Sequence, residues 1–378
     1  MKILIAGDYC PTGRTDEFLK NENYSSLFNG YQKITESVDY AVVNLECPLT
    51  TATQKINKTG PCLKSENKNA LKALKHAGFD LLTLANNHIQ DYGEQGVLDT
   101  IKQVKNENFD IVGAGSDTVS AAIPFIKNIN GANIGFINIA ENEFCAAESS
   151  FAGANTFNLI ENSRAIIELK KKVDKIILIY HGGREHYQLP TPDQKKRLRY
   201  FIDLGVDAIV AHHTHCFSGY EYYNNKPIVY SLGNFVFDYK KKYQKGQWTE
   251  GISVILSLED EFKIDQIIPH FQGRIEDSTL RLMEGKDKER VLNKIAELNK
   301  IIADDLKFSE SWNEYLKTQE NFYLASLYVK NLYLRALFMK GFLPISLLKS
   351  KHSKLMLNLV RCESHHEIMK NILEREIK

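Results

Sequence analysis

The sequence predicts an α/β protein, and three observations lead there. Short runs rich in β-branched residues recur with helical patterns between them, polar clusters stand directly after those runs, and the hydrophobic fraction of 43% with 25% charged residues is that of an ordinary globular chain. At 378 residues the chain exceeds one average domain, so two units are expected.

In chain order, strands are expected at 2–6, 40–45, 81–84, 110–112, 134–139, 175–180, 208–210 and 228–230. Helical patterns fill 65–77, 93–107 and 191–204; in the last, Thr191 is placed to cap and Pro192 suits a first turn, where its missing N–H is not needed. The runs 252–258 and 263–269 read as a hairpin closing the sheet. From about 278 the texture changes to long helical patterns at 286–306, 319–340 and 345–378, broken only near Pro344. The expected division is therefore a domain at 1–275 and a helical region at 276–378.

The net charge of +1 gives no whole-molecule field toward nucleic acid, and no nucleic-acid partner is expected. Six scattered cysteines (Cys10, Cys47, Cys62, Cys145, Cys216 and Cys362) read as reduced thiols, which points to the cytoplasm. The first run meets Asp8 before a signal-peptide core can form, and no window holds the ~20 uninterrupted apolar residues of a spanning helix.

Open α/β sheets bind ligands at the carboxyl edge of their strands, and five polar clusters stand at such ends. They are Gly7-Asp8-Tyr9-Cys10, Asn44-Leu45-Glu46-Cys47-Pro48, Ala85-Asn86-Asn87-His88, His181-Gly182-Gly183-Arg184-Glu185 and Ala211-His212-His213-Thr214-His215. Carboxylate, amide and imidazole donors together suit Mn, Fe or Zn, as one or two divalent ions. Two ions about 3.5–4 Å apart hold a phosphate and its attacking hydroxide when a carboxylate bridges them, and Glu46 is the candidate bridge. Asp8, Asn87, His181, His213 and His215 are the other candidate ligands, and His88, beside Asn87, is placed to protonate a leaving oxygen.

The ordered set Gly-Asp, Asn-Leu-Glu, Asn-Asn-His, His-x-Gly and His-x-His resembles the CapA family of capsule and polyglutamate synthesis proteins, a divergent branch of the calcineurin-like metallophosphoesterases. The likeness runs from residue 3 to about 240, and its more specific parts include Leu84-Ala85-Asn86-Asn87-His88 with Asp91, and Tyr230-Ser231-Leu232-Gly233-Asn234-Phe235-Val236-Phe237-Asp238. The resemblance implies a layered α/β fold and a metal-dependent phosphoesterase-type hydrolase in capsular polysaccharide or polyglutamate synthesis, acting on a phosphorylated glycan, a lipid-linked or a glutamyl substrate. It also places Glu185 among the catalytic residues and Arg14, Lys64 and Asn234 at the substrate. The wider superfamily begins Asp-x-His, whereas this chain has Cys10 at the third position; Cys10 is thus a further candidate ligand, and without it the first metal site is short of one donor. Two alternatives stay open: an amide or γ-glutamyl bond enzyme on the same metal centre, and a non-catalytic accessory protein of a capsule synthesis complex.

From Asn321 to Cys362 there is no acidic residue but seven basic ones: Lys330, Arg335, Lys340, Lys349, Lys351, Lys354 and Arg361. Such helices pack on their own domain, pair in a homo-oligomer, or lie through 321–362 as a peripheral contact on an anionic membrane's inner face.

Overall fold

The computed structural model describes residues 1–348 and scattered positions between 356 and 373. In chain order the strands are β1 (Lys2–Tyr9), β2 (Tyr40–Leu45), β3 (Leu81–Thr83), β4 (Asp110–Val112), β5 (Ala114–Gly115), β6 (Phe125–Ile129), β7 (Ala132–Ala140), β8 (Gly153–Ala154), β9 (Lys175–His181), β10 (Ala208–His212), β11 (Tyr220–Tyr223), β12 (Lys226–Val229), β13 (Asn234–Val236), β14 (Glu250–Leu258), β15 (Phe262–Phe271) and β16 (Arg281–Leu282).

Among the described residues, one sheet has the order β16-β15-β14-β1-β2-β3-β4, with β13 also paired to β1, and a second has the order β11-β12-β10-β9-β7-β6. The chain is thus the α/β protein expected, with every expected strand present and the β14–β15 hairpin laid antiparallel on β1. In each sheet the central strands run parallel and are buried almost throughout, as strands covered on both faces must be. Several short strands were not foreseen, β13 among them. Three residues carry no readable period, and β13 exists because Asn234 and Val236 pair with Asp8 and Tyr9 far away in sequence.

The helices Gly93–Asn106 and Pro192–Asp203 lie where expected, and the Thr191 side chain caps the second by accepting from the Gln194 amide at 3.1 Å. The helix expected at 65–77 is shorter, Ala70–His76. Its first residues are held in extended form instead: the Ser65 amide donates to the Pro48 carbonyl and the Ser65 carbonyl accepts from Thr50.

The chain divides into two compact units, Met1–Asp304 and Asp305–Lys378. The division expected after 275 precedes the helix Gly285–Ala303, which is stitched into the first unit. Asn299 accepts from the Tyr220 amide at 2.7 Å, and the Lys195 ammonium donates to the Ile302 carbonyl at 2.6 Å. In the second unit the single helical pattern expected at 319–340 is divided between two helices, Asp305–Tyr328, which begins well before it, and Leu332–Met339, which Asn331 caps. Of the helix expected at 345–378, Ile345–Leu348 forms a 3₁₀ turn. Lys349, Lys351, Lys354, Arg361 and Cys362 lie outside the described residues. No helix of the described residues is long and apolar enough to cross a membrane, and Cys10, Cys47, Cys62, Cys145 and Cys216 carry free thiols.

Candidate metal centre

The carboxyl edges of the two sheets meet at one place. Asp8 and Glu46 come from the ends of β1 and β2, His181 from the end of β9, and His213 and His215 from the turn after β10. Asp8 owes its aim to a shift of register between Ala6 and Asp8 in the β1–β2 pairing. Glycine is required at the shift, because a Cβ on Gly7 would lie 2.1 Å from the Gly233 carbonyl oxygen.

The side chains converge in two triads, Glu46–His181–His213 and Asp8–Glu46–His215, whose donor atoms all lie within 4.8 Å of one another. Glu46 belongs to both. Its Oε1 is 3.5 Å from His181 Nε2 and 3.8 Å from His215 Nε2. Both Glu46 oxygens are buried and neither has a hydrogen-bond partner among the described residues. His181 Nε2 also lies 3.0 Å from Asn87 Oδ1 and 3.2 Å from His213 Nδ1, and a single ring proton can serve only one of these contacts. Lone pairs facing one another around an unsatisfied buried carboxylate are an expensive arrangement on their own. A divalent cation satisfies all of them, so the donor set fits such an ion.

The electrostatics agree. Burial, followed by Asp8 and Glu185, pushes the Glu46 carboxyl well up. Burial lowers His181 far below the usual imidazole value and brings His215 down to about 4, so both rings are neutral, the state in which imidazole binds metal. Burial alone would raise Asp8, but its hydrogen bond to His212 and the imidazoles of His212, His181 and His215 around it hold it below the ordinary carboxylate range.

The partners behind these donors are well defined. His212 Nδ1 lies 3.2 Å from Asp8 Oδ1, and the Asn44 amide donates to the same oxygen at 2.7 Å. His213 and His215 both have left-handed backbones, φ 92° and 55°, which non-glycine residues adopt only when the surroundings demand it. Here the demand comes from Thr214, whose hydroxyl donates to Ser231 Oγ at 2.8 Å, and from the Leu232 amide, which donates to the Ala211 carbonyl.

Of the remaining expected residues, Asn87 lies at His181, and His88 lies next to it with Nδ1 2.7 Å from Asp91 Oδ2. Glu185 is within electrostatic reach of the triads: burial raises its carboxylate, and His213 and His215 bring it down overall. Asn234 is buried behind His215, accepting from Nδ1 at 2.9 Å and donating to the Trp248 carbonyl at 3.0 Å, so it orients that ring. Cys10 is in neither triad. Its side chain packs with Cys47, Leu63, Phe237 and Trp248, and burial, then Cys47 and Glu46, raises its thiol far above the usual value. Lys64 is held by the Ala52 carbonyl and Glu66, over the Tyr92 ring.

Arg14 grips Asp238 through Nε at 2.9 Å and Nη2 at 2.8 Å, and donates to the Arg274 and Ile275 carbonyls. Since Asp238 is 1% exposed, Arg14→Ala leaves a buried carboxylate short of its main partner. It is expected to lower stability by about 2 kcal/mol, read as a lower Tm, while leaving metal content unchanged in elemental analysis.

Sequence reasoning passed over His212, Asn44, Asp91 and Lys58 as site residues. The first two stand inside runs already singled out and Asp91 stands three residues after His88, but Lys58 lies in a stretch with no pattern at all.

Comparison with known proteins matches residues 2–239 to the family described as bacterial capsule synthesis protein PGA_cap. The chain is 33% identical over 238 residues to the PGA biosynthesis protein CapA of Bacillus subtilis, covering 62% of each chain. It is 31% identical over 247 residues to the capsule biosynthesis protein CapA of Bacillus anthracis, covering 63% of this chain and 60% of that one. The match thus spans about three fifths of the length of these relatives. Among solved structures, a hypothetical protein from Thermus thermophilus aligns with a TM-score of 0.45 at 13% identity, over 75% of this chain and 100% of that one. A 5'-nucleotidase from Candida albicans aligns with a TM-score of 0.42 at 10% identity, over 71% and 51%. Likeness at that level carries no functional argument. The family match, covering well over half of the sequence and all of the converging donors, shows that the chain belongs to the bacterial capsule synthesis protein family PGA_cap.

Proposed function

We propose that this protein is a metal-dependent hydrolase of phosphoesters, acting on a phosphorylated intermediate of capsular polysaccharide or polyglutamate synthesis. The observation that carries this reading is Glu46, a buried carboxylate shared by two triads and without a hydrogen-bond partner among the described residues. Asp8, Glu46, His181, His213, His215 and Asn87 would hold one or two ions of Mn, Fe or Zn. When bound, such ions polarise a phosphoryl oxygen and make water nucleophilic at neutral pH.

The chain's own residues supply the rest. Asn44 and His212 fix the Asp8 carboxylate, and Asn234 fixes the His215 ring. Asp91 holds His88 through Nδ1, leaving Nε2 for substrate. As the attacking water forms the new P–O bond and the ester P–O bond breaks, the leaving oxygen takes the proton from His88 Nε2. The proton shed by the water restores it.

The test is to purify the protein without chelator, determine its metal by elemental analysis, and assay aryl phosphomonoesters and phosphodiesters with added Mn. Mn-dependent turnover is the expected result. Bound metal with no hydrolysis of either ester overturns the hydrolase reading, and absence of metal overturns the metal centre with it.

A further inference from the structure

The stretch 51–64 has no regular secondary structure, yet it is fastened around one residue, Asp91. The Ile56 amide donates to the Asp91 carbonyl at 3.1 Å, and the Leu63 amide donates to Asp91 Oδ2 at 2.6 Å. Between these two, Lys58 reaches inward. Its ammonium forms an ion pair with Asp91 Oδ1, donates to the Asn87 carbonyl at 3.3 Å, and lies 3.4 Å from His88 Nδ1. The Lys58 side chain is 3% exposed and that of Asp91 0%.

Burying a lysine is costly in desolvation and in side-chain entropy, and hydrogen bonds from two backbone amides, one to the Asp91 carbonyl and one to its carboxylate, already fasten the loop. What Lys58 adds is control of one carboxylate. Asp91 Oδ2 serves both His88 Nδ1 and the Leu63 amide, and among the described residues Oδ1 is paired with the Lys58 ammonium alone. With that cation gone, a buried carboxylate with one vacant oxygen rotates toward whatever donor is near, and the His88 ring turns with it.

We propose that Lys58 is a positioning residue for His88. By anchoring Asp91 Oδ1 it holds Oδ2 on His88 Nδ1, and so keeps Nε2 turned to the leaving oxygen of the substrate. The catalytic readout of this proposal rests on the phosphoesterase reading; its spectroscopic readout does not.

The experiment uses the full chain as purified with its metal, in the wild type, Lys58→Met and Lys58→Arg. Lys58→Gln replaces the methionine variant if that does not fold. In protein labelled with ¹⁵N-histidine, with His88→Gln identifying the signals, the His88 ring nitrogens are expected to shift in Lys58→Met and to return to wild-type positions in Lys58→Arg. A proton donor matters most when the leaving group is poor. Lys58→Met is therefore expected to lower kcat on an alkyl phosphodiester about 100-fold, with KM and metal content unchanged, and to leave a nitrophenyl ester nearly untouched. Unchanged His88 nitrogens in Lys58→Met overturn the proposal. So does an equal fall on both esters with metal retained, which is what a structural strut would give. If the wild type hydrolyses neither ester, the phosphoesterase reading fails on its own and the nitrogen spectra alone decide the role of Lys58.

Discussion

Glu46→Gln is expected to strip the protein of metal at both triads in a single substitution. The amide keeps the shape of the carboxylate and removes its charge, and Glu46 Oε1 faces His181 and His215 together. Altering even an outer partner of a metal ligand weakens affinity about 10–100-fold, so losing the shared one should leave less than about a tenth of the wild-type metal after dialysis. Thermal melts supply the control. Metal bound only to the folded state raises the wild-type Tm in proportion to ln(1 + [L]/Kd), whereas the variant should not respond to added Mn. Stripped of metal, the variant should melt no lower than the wild type, because it no longer buries an unsatisfied carboxylate. A Glu46→Gln protein that retains full metal would show that the two triads are not the metal centre.

The second large effect is expected at His88. His88→Ala removes the proposed proton donor but none of the triad donors. It should lower kcat by about 10²–10⁴-fold on esters with poor leaving groups while metal content and KM stay close to wild type. Loss of metal in this variant would instead mean that His88 holds Asn87 in place, and that its effect on turnover is indirect.

What could be read from the chain beforehand was whatever is local. A buried parallel strand is a run of apolar residues, and a polar residue just after it stands out by contrast; Asp8, Glu46, His181, His213 and His215 were legible for that reason. The arrangement that unites them was not. Asp8 and His212 are 204 residues apart and sit on different sheets, and nothing in either segment encodes that the two carboxyl edges face each other. Arg14 shows the same limit from the other side. The family resemblance places it at the substrate, while in the structure its guanidinium pairs with Asp238, 224 residues away. Lys58 was beyond reach because an irregular segment has no period, and its burial follows only from the hydrogen bonds that Asp91 makes with Ile56 and Leu63.

The two left-handed histidines bear on how an ion would enter and leave. A ligand on an ordinary rotamer can swing aside within nanoseconds, but His213 and His215 are set by backbone torsions that Thr214, Ser231 and Leu232 hold in place. Exchange at such a site has to wait for that turn to open, so residence times should follow local unfolding and lengthen steeply on cooling. A cradle unable to relax around its guest would also discriminate by ionic radius and coordination geometry, and so would choose among the proposed Mn, Fe and Zn on grounds that ligand chemistry alone does not supply.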